Sequence, residues 1–288
     1  RATREVRDAA EAGVFPATLW QTVQEAGLHL VGSPDSGTTL ADALRVIGAG
    51  GRAAVPLPLA EIVIANCVLG TEVLTSIAED DVAPWGRAAS QIVTTDGRLL
   101  TRFSVVEGAN LAGEPRDVVV AETEEPIEVP SDFDALMALA RAAAMAGALE
   151  RVLDLALRYA TDREQFGRPL SKFQAIQHNL AQLAGEVAAA KRATDAAIEA
   201  IDSEWFRVQA AVAKARVGEA AGIVAEIAHQ VHGAMGFTHE HELHHFTRRL
   251  WAWRDEHGHE ALWQREIGEH VAGLGADNAW AFMTRSAA

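Results

Sequence analysis

The sequence predicts an α+β chain, mostly α, in three parts: a helical N-terminal region over 1–79, a small β module over 80–131, and a bundle of long helices over 132–288. Three observations carry this. Alanine and leucine at helical spacing fill both ends of the chain. β-Branched residues gather in short runs only in the middle. The apolar spacing after 132 then runs far longer than an average helix. Helices, then strands, then helices describe separate modules rather than alternating βαβ units.

Taken in order, Gly13, Pro16, the Gly32-Ser33-Pro34 turn and Pro56/Pro58 punctuate the first region. Leu19, Val23 and Leu28 predict one helix, Leu40, Leu44 and Ile47 another, and a third is expected from about Leu59 to Glu79. In the middle, Ser90–Thr95, Leu99–Val106 and Val118–Val120 read as strands. Asp96-Gly97 between the first two is a hairpin signal. Gly113-Glu114-Pro115 and Glu124-Glu125-Pro126 read as turns, and the length suits four or five strands. Beyond 132, long amphipathic helices are expected over Phe133–Tyr159, from after Pro169 to Ala190, and over Trp205–His232. A shorter one is expected from Glu260 to Val271, and the four read as a bundle.

Composition limits the function. Twenty-five basic against forty acidic residues give a net charge of −15, which argues against non-specific binding to nucleic acid or to an anionic membrane. The single cysteine, Cys67, excludes an internal disulfide and any multi-cysteine metal site, and suits the cytoplasm. The charged, Ala-rich start does not read as a secretory leader. No apolar run approaches the ~20 residues of a membrane span. Neither a GxGxxG after a strand nor a P-loop occurs.

Two stretches are more specific: Arg158-Tyr159-Ala160-Thr161-Asp162-Arg163-Glu164-Gln165-Phe166-Gly167-Arg168-Pro169, running on to Phe173-Gln174, and Gln230-Val231-His232-Gly233-Ala234-Met235-Gly236-Phe237. Arg163 can pair its guanidinium with a pyrophosphate, and Phe166 offers an aromatic face. Gln230 can donate and accept, and glycines at 233 and 236 let backbone approach a ligand. Each has a structural alternative. Arg163 fits a solvated helix-end cation. Gln174, three after Ser171, fits a capping box. Gly233 and Gly236 fit the end of a helix.

Together, at this separation, the two stretches resemble the acyl-CoA dehydrogenase family, in which a helix ends in tyrosine, an R-x-Q-F-G turn follows, and a Q-x-x-G-G-x-G turn lies about one and a half helices downstream. Leu19-Trp20 with Gly27-Leu28, and Pro56-Leu57-Pro58, are similar to N-terminal segments of the family. The resemblance implies the family's three-domain fold and α,β-dehydrogenation of an acyl-CoA with FAD and an electron-transfer flavoprotein. It implies that Arg163, Gln165, Phe166, Gln174, Gln230, Gly233 and Ala234 contact an FAD shared across a subunit interface.

The pattern departs from the family at the base. Aligned on Gly258, the family's glutamate falls on His257, with Glu256 one residue early as a weak candidate. The alternative helical glutamate position falls on Leu136. The β module is short, with only Trp85 and Ser90 as weak candidates for a flavin wall, and Trp85 suits a core better than that wall. The resemblance is therefore to the shorter, base-less subunit of heteromeric acyl-CoA dehydrogenases of bacterial steroid side-chain breakdown. A longer partner would supply the catalytic glutamate in an α2β2 heterotetramer. The alternatives are a self-sufficient homo-oligomer using Glu256 and a structural or assembly homologue without flavin chemistry. Six histidines (His239, His241, His244, His245, His257, His259) crowd one stretch. They read as partly buried imidazoles of an interface helix rather than a metal site. The Arg248–Arg254 cation–aromatic run reads as a partner contact ahead of a site for CoA phosphates.

Overall fold

The computed structural model describes residues 2–284. They form two compact units that divide within one long helix, between Ala148 and Leu149. In chain order the first unit contains α1 (Arg4–Glu11), α2 (Ala17–Glu25), α3 (Leu40–Arg52), α4 (Leu59–Leu69), β1 (Thr75–Ala78), β2 (Val82–Pro84), β3 (Gln91–Thr94), β4 (Arg98–Val106), β5 (Arg116–Pro126) and the start of α5 (Phe133–Asp162). The second contains the end of α5, then β6 (Glu164–Gln165), β7 (Arg168–Pro169), α6 (Gln174–Glu199), α7 (Phe206–His232), α8 (Leu243–Asp255), α9 (Glu260–Leu274) and α10 (Ala276–Met283). The expected mostly helical architecture with one small sheet is what forms.

In the first unit, α3 starts at a capping box between Thr39 and Asp42. It lies against α5 where small residues face one another. A Cβ on Gly51 would sit 1.9 Å from the Ala144 carbonyl oxygen, and one on Gly147 2.0 Å from that of Gly48. α4 is buried along Leu59–Asn66, so it is apolar all round save Glu61, which pairs with Arg141 of α5, and Asn66, whose amide donates to the His29 carbonyl.

The sheet runs β1-β3-β4-β5-β2, with β1 parallel to β3 and the other pairs antiparallel. Its two outer strands are joined by the two-residue turn Asp80-Asp81, both with positive φ, across which Glu79 and Val82 exchange hydrogen bonds. The sheet therefore curls around Ala78, Ala83, Ile92, Leu100 and Val119. Asp96-Gly97 joins β3 to β4 as expected. Two sequence expectations fail here. The third helix stops at Leu69 with Gly70 in the left-handed conformation, and Thr75–Ala78 is a strand. Glu124-Glu125-Pro126 continues β5 opposite β4 rather than turning.

In the second unit α7 is the central helix. It packs along α6 with an Arg216–Glu186 ion pair, and along α9 with Arg207 Nε 2.7 Å from Glu266 Oε1. α8 also packs on it. Its side toward these helices is largely alanine and valine, which permits close approach. No helix among the described residues is long and apolar enough to cross a membrane.

Candidate functional site

The ends of α5 and α7 meet in the second unit, and the two singled-out stretches meet with them. Past α5 the chain turns at once: the Arg163 amide donates to the Tyr159 carbonyl, and β6 pairs with β7 across Phe166-Gly167. Both turn residues have positive φ, 52° and 78°. That geometry belongs to a two-residue hairpin turn, where asparagine followed by glycine is preferred. An aromatic residue is strained at the first position, and here it gains little packing in return, since Phe166 is 91% exposed. Its ring meets Phe173 edge-on at 6.2 Å, and the Arg168 guanidinium sits 4.2 Å over the Phe173 ring. Arg163, Gln165 and Gln174 are exposed beside it.

The capping alternative for Gln174 does not form. Phe173 is the N-cap of α6, and the Ser171 carbonyl accepts from Gln177 Nε2 instead. The amide of Gln174 stays on the surface. The helix-end alternative for Gly233 does form, because Gly233 follows α7 at φ 56°, ψ −142°, a conformation reserved for glycine. Yet no atom lies within 4 Å of a Cβ built there, so the space in front of its backbone is open. Gln230 and Ala234 are exposed as well, and Phe237 is 74% exposed.

His232 links the two halves. It is 2% exposed, and its Nδ1 lies 2.7 Å from the Ala228 carbonyl oxygen. Its ring stacks on Tyr159 at 4.5 Å and meets His241 at 4.6 Å. Tyr159 and His241, with Leu155, Arg158, Asp162 and Arg163, line a cleft of about 280 Å³. Burial pushes the pKa of His232 down to about 4 and lowers those of His229 and His241, so the imidazoles are neutral near pH 7. Arg158 and Arg163 bring guanidinium groups to this cleft, beside the carboxylate of Asp162. His229 is held by Thr247 at 3.0 Å and stacks on Phe237.

The α8–α9 turn is fixed from behind. Lys214 Nζ donates to the carbonyls of Arg254 (2.8 Å) and Gly258 (2.6 Å), and Trp263 Nε1 donates to that of His257 (2.9 Å). His257 is buried with φ 55°, and Glu256 is half-buried on extended backbone. Leu136 is buried. In the β module Trp85 is core, edge-on to Phe15 at 5.3 Å, whereas Ser90 is exposed and lines an open groove with Thr101 and Ser104. The reading of the Arg248–Arg254 run as a partner surface is corrected in part. Arg249 and Trp253 are buried, and Arg249 Nη1 donates to the His245 carbonyl. On a helix their spacing of four turns both to one face.

Sequence reasoning passed over Tyr159 and His232 as contacts, although both stand inside the quoted stretches. The available signal was aromatic rings at the terminal turns of two helices expected to be neighbours.

Fold and site together give helical, sheet and helical parts, with an exposed arginine–aromatic hairpin after α5 and an open glycine turn after α7. Residues 135–271 match the model of the acyl-CoA dehydrogenase C-terminal domain. The chain is 33% identical over 231 residues to the acyl-CoA dehydrogenase IpdE2 of Mycobacterium tuberculosis, covering 79% of this chain and 69% of that protein. It is 28% identical over 273 residues to IpdE2 of Mycolicibacterium smegmatis, covering 85% of each. Among solved structures, the Tcur3481-Tcur3483 steroid ACAD superposes with a TM-score of 0.82 at 21% identity, over 94% of this chain and 93% of that one. The ChsE4-ChsE5 complex of Mycobacterium tuberculosis gives 0.81 at 20%, over 96% and 94%. At such identities these structures show the fold. The chain belongs to the acyl-CoA dehydrogenase family, a family of enzymes. Its members' cofactor is FAD, and the residues present fit that group: exposed guanidinium and amide donors suit a pyrophosphate, a projecting phenyl ring suits adenine, and the backbone at Gly233 is uncovered.

Proposed function

We propose that the chain is the FAD-completing subunit of a heteromeric acyl-CoA dehydrogenase, working in the cytoplasm beside a longer subunit that supplies the catalytic glutamate. The observation that carries this is the exposed, strained Phe166 on the hairpin that follows α5, in a chain whose base positions hold a buried imidazole and a leucine. A strained aromatic with almost no burial in its own chain is accounted for by a contact outside it.

In this reading Arg163 binds the pyrophosphate as a paired donor. The exposed Phe166 ring would meet the adenine end, and Gln165, Gln174, Gln230 and the Gly233-Ala234 backbone would complete the cradle. Bound there, FAD would supply the two-electron acceptor for the hydride at Cβ of the acyl-CoA. This chain's residues orient it, and the proton at Cα goes to the partner's carboxylate. The relatives support an acyl-CoA whose acyl part is a steroid side chain, since a structural neighbour is described as a steroid ACAD. An α2β2 assembly accords with the ChsE4-ChsE5 complex among the neighbours, and an electron-transfer flavoprotein is the expected acceptor.

The test is turnover of steroid side-chain CoA thioesters by the chain alone, by the complex with its longer subunit, and by both carrying Glu256→Gln. Activity only in the complex, unchanged by E256Q, is expected. Turnover by the lone chain that E256Q abolishes would overturn the reading in favour of a self-sufficient homo-oligomer.

A further inference from the structure

We propose that His232 is a positioning residue for the cofactor cradle: one buried imidazole braces both aromatic walls of the cleft beside Arg163 and the glycine turn that follows it. The inference rests on the FAD reading above and adds a residue that touches no ligand.

The geometry is specific. The Ala228 carbonyl can only accept, so Nδ1 of His232 carries the proton and donates at 2.7 Å. That bond orients the ring on the last turn of α7. Nε2 is buried and makes no hydrogen bond among the described residues, so the ring acts in its neutral form and by its faces. Tyr159 stacks on it with 30° between planes, and His241 meets it at 62°. Those two residues line the cleft that Arg158 and Arg163 also line. The loop carrying His241 is anchored on α5 by Arg151 Nη2 to Glu242 Oε1 at 2.6 Å, and His241 Nδ1 accepts from the Leu243 amide at 3.2 Å.

On its other side His232 leads directly into Gly233. The turn then folds back so closely that a Cβ on Gly236 would lie 3.0 Å from His232 Cβ. α5, the His241 loop and the glycine turn thus share one support. Moving the ring displaces Tyr159 together with the Gly233-Ala234 backbone, so cofactor affinity falls without loss of any ligand contact. A residue that only filled space would be replaced without penalty by any side chain of similar volume. A brace between two rings needs a flat ring of its own.

The experiment measures FAD affinity by flavin fluorescence in the co-purified complex, with thermal unfolding recorded alongside. The variants are His232→Leu, His232→Phe, which keeps a flat ring between Tyr159 and His241, and Arg163→Ala as the control for the cradle. H232L is expected to weaken FAD about tenfold, and H232F to recover most of that loss. If H232L matches the wild type, or H232F is as poor as H232L, while R163A weakens binding, the proposal fails and the FAD reading stands. If none of the three changes binding, both fail. Should H232L not fold, Tyr159→Leu against Tyr159→Phe asks the same question from the other ring. Loss with leucine and retention with phenylalanine supports the brace, and equal affinities overturn it.

Discussion

Replacing Phe166 with asparagine should move stability and cofactor affinity in opposite directions. Phe166 holds φ 52° ahead of Gly167 at 78°, so Asn-Gly would occupy the same hairpin turn without the aromatic ring. Left-handed backbone costs an ordinary residue about 1–2 kcal/mol, much of which asparagine avoids. Against that stands the edge-on contact with Phe173 at 6.2 Å, about 0.5 kcal/mol for an exposed ring. The balance is a gain of about 0.5–1 kcal/mol, a rise in Tm of roughly 2–3 °C for a unit of this size. Base–aromatic stacking is worth about 1–3 kcal/mol, so FAD should bind the F166N complex about five- to 150-fold more weakly. Calorimetry of the chain and flavin titration of the complex read the two effects separately. A lower Tm with unchanged FAD affinity would show that the ring serves the fold, and would refute the argument from strain.

Other outcomes follow from the same geometry. Gly51→Ala drives a Cβ to within 1.9 Å of the Ala144 carbonyl oxygen and should cost about 1–3 kcal/mol by denaturant unfolding. Lys214→Met leaves the Arg254 and Gly258 carbonyls without a charged donor and should cost about 2–3 kcal/mol, with faster amide exchange over 255–259. Stability should fall with pH below the ordinary histidine range, because the unfolded chain takes up a proton at 6.5 that folded His232 refuses until about 4. The contribution is complete above 6.5 and about 2 kcal/mol of it is gone at pH 5. The unfolding free energy of H232N should show a correspondingly shallower slope between pH 4 and 6.5, and equal slopes would contradict the assignment.

The long helices were legible because their apolar residues recur every three or four positions over many turns, and the β3–β4 hairpin because Asp96-Gly97 states its turn. The strand β1 was not. Ile62–Leu69 suits a helix, and nothing local announces that Thr75–Ala78 leaves it. What makes it a strand is pairing with β3 sixteen residues on and closure through Asp80-Asp81. Glu124 and Glu125 suggested a turn by their polarity, but β5 runs there with an exposed face that tolerates charge. At the site, the residue types and their separation along the chain pointed to Arg163, Phe166 and Gln230. The brace behind them was hidden, because a histidine's role depends on what its ring touches. His241, read within a cluster, became a wall of the cleft only when loop 238–242 was seen anchored to α5 through Arg151.

The most direct test is the flavin content of the purified chain alone and of the complex with its longer subunit, each with and without Arg163→Ala. The account predicts almost none in the lone chain, one FAD per pair of unlike subunits in the complex, and a marked loss from that complex on R163A. Stoichiometric flavin in the lone chain, or a complex that keeps its flavin undiminished without the arginine, would contradict it.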